Sequence, residues 1–188
     1  MGVIVASISH YFFRFNVLEY IIVLLGAFLT DFDVLFGKYA REHNHRMLIS
    51  HSIIPSVVIL IIGLVFNWIA LIFCGIGLFL HVFIDTFDWG TNLFYFPKKL
   101  VGLKLLITKD EFENLDKYLA KYKQNESFFD SKYYDCKICL VIEGILFILM
   151  MVFSVVMALE YILIVPFYFI GLFFHLSLHF NLKRIEAN

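Results

Sequence analysis

A chain of 188 residues that is 61% hydrophobic and 16% charged has too little polar material to cover a water-facing surface, since a soluble domain carries about 45–50% apolar and about 25% charged residues. Its mean hydropathy of +0.84 assigns residues 1–188 to the membrane as one integral domain. A net charge of −1 leaves no electrostatic footprint for nucleic acid.

In chain order, residues 1–14 form an apolar segment holding His10 and Arg14, too short to cross a bilayer alone. No Lys or Arg precedes its first run and no small-residue cleavage site follows, so a cleaved signal peptide is not expected. Asn16 breaks the pattern, and a helix over about residues 17–32 follows. A polar, basic loop at 37–50 leads into an apolar stretch at 53–87, whose break at Asn67-Trp68 predicts two helices in a tight hairpin.

Residues 89–136 are a long hydrophilic insert. Within it Thr108-Lys109-Asp110-Glu111 reads as a capping box, and Phe112, Leu115, Leu119 and Tyr122 recur at helical spacing. That amphipathic helix either lies on lipid headgroups or serves as a solvated connector. Lys137 opens a further helix to about 159, and residues 161–182 make the last one. With Cys74 the cysteine count is odd, which argues against a disulfide framework; Cys136-x-x-Cys139 has no second pair, so it reads as small apolar residues at a membrane edge, with zinc or redox chemistry as the weaker alternative. The expected architecture is all-α and polytopic, with about five transmembrane helices and an amphipathic helical insert between the third and fourth.

Charge sets the expected topology. Fourteen of the fifteen Lys and Arg fall in three clusters, at 38–46, 98–137 and 183–184, with Arg14 the exception. In a five-helix scheme all three lie on one side, which the positive-inside rule makes cytoplasmic in a multi-pass protein of the cell membrane. His81, Asp85, Glu143, His175 and His179 then sit within roughly 6–12 Å of that face at 1.5 Å per residue, and Asp31 and Asp33 end a helix there. Ionisable groups are expensive in a bilayer and mark a bundle interior or a water-filled site.

The chemistry concentrates in residues 30–51. His81-x-x-x-Asp85 places an imidazole and a carboxylate on one helix face; a core histidine hydrogen-bonded to an acid has the same pattern. Asp31-x-Asp33 needs a helix end, where one carboxylate can ligate a metal while the other bridges or takes a proton; a solvated helix stop reads the same way. His45-Arg46 and His51 lie where the loop becomes the next helix, with Ser50 as its expected N-cap. Nitrogen with carboxylate oxygen suits zinc, manganese or iron, and the Arg46 fork matches a phosphate; the alternative is a solvated basic loop. Glu42 and His43 read as loop residues without a role. His175-x-x-x-His179 is either a second metal site or a pair of packing histidines, and Glu143 either supports a ligand or reaches for water.

Together these strings, GAFLTDFDVLF, HNHRMLISHS, HVFIDTFDWGT and FP, resemble the membrane-bound metal-dependent hydrolases of the YdjM-like family. The matching positions are Gly26, Asp31, Asp33, His45, Arg46, His51, Ser52, His81, Asp85, Gly90 and Pro97, within residues 20–97. Thr30 stands where the family has Pro, and one extra residue separates Arg46 from His51. A looser likeness to zinc-dependent phospholipases C recruits His10. The resemblance implies metal-dependent hydrolysis, with a phosphoester of a lipid or lipid-linked substrate as the natural guess.

The expected first metal shell is Asp31, His45, His81 and Asp85, with Asp33 and His51 bridging or holding a second ion; Asp33 takes a proton and Arg46 steadies phosphoryl oxygens. The alternatives are a divalent-metal or proton carrier built on the same Asp/His layer, and a structural membrane protein without metal. Oligomeric state is not legible.

Overall fold

The computed structural model describes residues 1–40, 45–97 and 99–188. Its elements are helical, and the strand-like pairing among the described residues is one isolated antiparallel bridge, Thr91 with Val101. Glu42 and His43 lie outside the described residues.

Helices α1 (Gly2–Phe13) and α2 (Val17–Gly26) form an antiparallel hairpin. Arg14, left-handed at φ 52°, ends the first. Asn16 caps the second: its side chain accepts from Glu19 N at 3.1 Å while the Glu19 carboxylate accepts from Asn16 N at 3.0 Å. The helix expected over 17–32 stops at Gly26, and the chain continues as a 3-10 run, Leu29–Tyr39. Thr30, Asp31 and Asp33 are short polar residues that compete for backbone hydrogen bonds and disfavour a continued α-helix.

Helices α3 (Ile53–Val65) and α4 (Ile69–Asp88) make the expected hairpin, turning through Asn67 at φ 49°. The cap of α3 is Ser52, whose Oγ accepts from Ile54 N at 3.3 Å, and not Ser50. Helix α4 is the centre of the packing and touches α1, α2 and α3. Its neighbours approach closely because small residues line the crossings. A Cβ on Gly26 would lie 2.5 Å from the Cys74 carbonyl oxygen, and Ser56 Oγ donates to the Gly75 carbonyl at 2.9 Å. Ala6, Phe15, Tyr20, Val23, Ala70 and Ala158 fill the core beside it.

The insert holds α5 (Lys109–Glu113), α6 (Leu115–Leu119) and α7 (Asn125–Asp135). Thr108 and Glu111 form the expected capping box. The single amphipathic helix expected beyond it is two short helices, broken where the Asn114 side chain donates to the Asp110 carbonyl at 3.1 Å.

Helix α8 (Lys137–Met157) starts from Cys136, which is joined to Cys139 in a disulfide. The pairing goes with the redox alternative and against the expectation of small apolar residues: across the first helical turn their Cα atoms are 5.3 Å apart, within bridging reach. A 3-10 run, Leu159–Ile164, precedes α9 (Val165–Ala187), so the last helix begins four residues later than residue 161.

Among the described residues, three segments are long and apolar enough to cross a membrane: Ile69–Asp88, Lys137–Met157 and Leu159–Ala187. Helices α8 and α9 leave Ile138, Val141, Ile148, Phe167, Phe173 and Phe174 exposed. Such surfaces are stable against hydrocarbon and not against water, as in a membrane protein.

Candidate metal centre

Four segments meet where α4 ends. In the 3-10 run after α2, three residues make a turn, so Asp31 and Asp33 point about 120° apart. Asp31 is exposed and reaches His81, its Oδ1 3.3 Å from His81 Nε2. Asp33 is buried and reaches His51, its Oδ2 3.1 Å from His51 Nδ1. Ser50 Oγ donates to the same Asp33 oxygen at 2.7 Å. The serine expected to cap a helix instead orients a carboxylate.

His51 is the hub. It ends the short 3-10 turn Ile49–His51, and its side chain is fully buried. Nδ1 faces Asp33, and Nε2 is in short contact with Asp85 Oδ2. Thr91 Oγ1 donates to the His51 carbonyl at 2.9 Å, tying the insert to the hub. A neutral imidazole donates through one nitrogen only, so a carboxylate at each nitrogen requires a cation in one of the two contacts, either a proton or a metal ion.

His81 and Asp85, one turn apart on α4, share a face as their spacing requires, with Nε2 3.6 Å from Asp85 Oδ2. Among the described residues, neither the buried Nε2 nor Asp33 Oδ1 completes a hydrogen bond. His45 packs edge-on to His51, with ring centroids 5.2 Å apart, and so does His81, at 5.5 Å. Burial, followed by the neighbouring His51 ring, pushes His45 below the usual histidine pKa, against the pull of Asp33. That favours the neutral imidazole that ligates metals.

Among the described residues two donor sets are close enough for one ion each: Asp31 with His51 and His81, and Asp33 with His45 and His51, the donor atoms of each set lying within 4.8 Å of one another. Orphaned buried donors and a mixed nitrogen–carboxylate set fit a borderline divalent cation. The grouping differs from the expected one. His51 is common to both sets, His45 sits with Asp33 instead of Asp31, and Asp85 lies against His51 and Arg46.

The Arg46 fork, expected to face a phosphoryl group, is turned onto Asp88: Nη1 donates to Oδ1 at 2.8 Å and Nη2 to Oδ2 at 3.2 Å. It also donates to the Asp85 and Gly90 carbonyls at 3.4 and 3.3 Å, and Nη2 lies 3.6 Å from Asp85 Oδ1. Burial opposes its charge, yet the Asp88 hydrogen bonds and Asp85 outweigh this and raise its pKa further. Asp88 was missed by sequence reasoning; its place seven residues after His81, on the same helix face, was the available signal.

The polar layer expected from four helices is two clusters and a remote pair. His10 pairs with Glu160 at 2.9 Å and with the Phe15 carbonyl at 3.0 Å, at the far end of α1. His179 Nδ1 meets Asp130 Oδ2 at 2.6 Å, and Tyr133 donates to Glu143. His175 packs against Tyr133 and Tyr134. None of these four is within the two donor sets. Comparison of the chain with protein-family models, curated proteins and solved structures finds no match.

Proposed function

We propose that this chain is a membrane-embedded, metal-dependent hydrolase of phosphoesters carried on a lipid or lipid-linked substrate, related to the YdjM-like family by its Asp, His and Arg motifs. The observation that carries the reading is His51, buried between Asp33 and Asp85, with Asp31, His45 and His81 in reach. Asp31, His51 and His81 would hold one cation, zinc in the first instance or manganese or iron, and Asp33 and His45 would hold a second through the shared imidazole. When bound, the cation supplies Lewis-acid activation of water and of a phosphoryl oxygen.

The protein groups have separate tasks. Asp33, oriented by Ser50, accepts a proton. Arg46 acts as a positioning residue: its fork locks Asp88 and neighbours Asp85, holding the end of α4 in register with the loop. Exposed Asp31 marks the side on which substrate enters.

In our reading the five crossings are α2, α3, α4, α8 and α9, with residues 89–136 on the cytoplasmic side together with the metal centre. Helix α7 supports this arrangement by touching three helix ends, through Trp89 with Phe129, Tyr133 with Glu143, and Asp130 with His179. Helices α2 and α3, of 10 and 13 residues, are shorter than the roughly 17–25 residues a lone crossing needs and rely on α4 for cover.

The test is purification in detergent, elemental analysis, and hydrolysis of a short-chain lipid phosphate with zinc, manganese or iron. The reading expects stoichiometric metal and activity, both lost in Asp31→Ala and His81→Ala. A protein without metal refutes it in favour of a structural role. Metal uptake into sealed vesicles without hydrolysis refutes it in favour of a carrier.

A further inference from the structure

The Cys136-x-x-Cys139 pair stands at the joint of two helices and outside both donor sets of the metal centre. Helix α7 closes there, with Cys136 N donating to the Tyr133 carbonyl at 3.2 Å. Helix α8 opens there, with Leu140 N donating to the Cys136 carbonyl at 3.1 Å. The two sulfur atoms are joined, and Cys136 Sγ also accepts from Cys139 N at 3.3 Å. Both cysteines are half-buried among the exposed residues Asp135, Lys137 and Ile138, so water and small solutes reach the bridge. The third cysteine, Cys74, is buried within α4 and unpaired.

As a staple this bridge contributes little. It closes a ring across the two residues between its cysteines, and short rings constrain an unfolded chain least. The first turn of α8 is in place without it, because the Leu140–Cys136 hydrogen bond and the Cys139 N–H contact to Cys136 Sγ are both open to the dithiol form. Helix α7 is tied to α8 and α9 by other contacts, Tyr133 with Glu143 and Asp130 with His179. What the geometry does supply is a difference between the two sulfurs. Cys136 precedes α8 and faces the partial positive charge of its N-terminus and one of its free N–H groups. Cys139 lies inside the first turn and has no such place. Negative charge on sulfur is therefore better supported at Cys136 than at Cys139.

We infer that Cys136 and Cys139 form a redox-active dithiol–disulfide site that exchanges with low-molecular-weight thiols, a function separate from metal binding. In the reducing direction a monothiol loses its proton and its thiolate attacks Cys139 Sγ. The bond between the two cysteines breaks, and Cys136 leaves as the thiolate that the helix end supports. A second monothiol, deprotonated in turn, attacks the outer sulfur of the mixed disulfide, releasing the small disulfide and the Cys139 thiolate. The two protons given up by the monothiols end on the two cysteines. Two thiols are thus oxidised to one disulfide, and the protein bridge takes the two electrons. In the topology proposed above, the joint faces the cytoplasm, where low-molecular-weight thiols are kept reduced.

The experiment equilibrates the full chain in detergent, at neutral pH, with mixtures of reduced and oxidised glutathione. Exchange is stopped with acid, the chain is unfolded and alkylated, and mass spectrometry counts the labels. Cys74 is labelled in every sample, so the count moves between one label and all three cysteines. Millimolar reduced glutathione opens the bridge in the folded protein, and oxidised glutathione closes it again. Purified protein makes this outcome independent of which membrane face carries the joint. Cys139→Ser and Cys136→Ser each leave one cysteine there. In the folded variants at neutral pH, iodoacetamide labels Cys136 about three-fold faster than Cys139, a larger thiolate fraction being partly offset by lower nucleophilicity. The advantage disappears at alkaline pH, where both sulfurs are ionised. A bridge that survives millimolar glutathione until the chain is denatured overturns the inference and leaves a structural staple. Two thiols that oxidised glutathione never pairs overturn it as well, and equal labelling at neutral pH overturns Cys136 as the leaving sulfur.

Discussion

Arg46→Ala separates a positioning role from contact with substrate. The Arg46 side chain is 15% exposed and that of Asp88 29%, and the fork makes two charge-assisted bonds to one carboxylate. Removing one partner of a fully buried pair costs about 3–5 kcal/mol; with Asp88 partly open to solvent, we discount this to roughly 2–4 kcal/mol. For a chain of this size that corresponds to a melting temperature lower by roughly 5–15 °C. Arg46→Lys keeps the charge but not the fork, and reaches fewer of the four acceptor groups, so it loses about half as much. The assay is thermal unfolding in detergent of wild type, both variants, Asp88→Ala and the double variant. The single losses should fail to add, because each removes the same contact. In the hydrolase assay, kcat and KM should both worsen through displacement of Asp85. If Arg46→Ala melts like the wild type while KM alone rises, the guanidinium faces substrate and the assignment to Asp88 is wrong.

Ser50→Ala removes the donor to Asp33 and should lower hydrolysis about ten-fold, with stability down by about 1.5–3 kcal/mol for a bond to a charged group; unchanged activity would show that Asp33 needs no such support. Gly26→Ala places a methyl group against the Cys74 carbonyl and should cost roughly 1–3 kcal/mol by overpacking, read as a lower melting temperature, whereas Gly144→Ala should not destabilise. The hydrogen bond from Lys132, at 2.5 Å, holds Glu111 below the usual carboxylate pKa. A depressed folded-state value contributes stability above the unfolded pKa of about 4.3 and loses it as the pH falls through the folded one. Proteolysis within the α5–α7 insert should therefore accelerate at acid pH, and Lys132→Met should be cleaved readily at neutral pH as well.

Much of the fold was legible because hydrocarbon leaves few options. Apolar runs at 53–87 and 137–182 had to be helices, and Asn16, Asn67 and Thr108 announced turns and caps through chemistry confined to four or five neighbouring residues. His81 and Asp85 were readable as a pair for the same reason, since helical spacing alone puts them on one face. Ser50 and Asn114 were harder. Ser50 and Ser52 are equally good caps in isolation, and only the position of Asp33 decides between them. Asn114 sits within a stripe of helical period, which hides the break its side chain makes by turning back onto the Asp110 carbonyl.

The amino-acid sequence by itself determined that the chain belongs with membrane proteins, that its regular elements are helices, and that Asp and His residues gather at 30–51 and 81–85. Those properties follow from local composition and periodicity. Tertiary structure alone decided that His51 is the shared imidazole, that Arg46 is held by Asp88, and that His179 belongs with Asp130 instead of His175. Each of those pairings joins residues 34 to 49 positions apart. Their partners are chosen by how helices cross and by which buried polar groups remain unsatisfied, and neither is encoded in spacing along the chain.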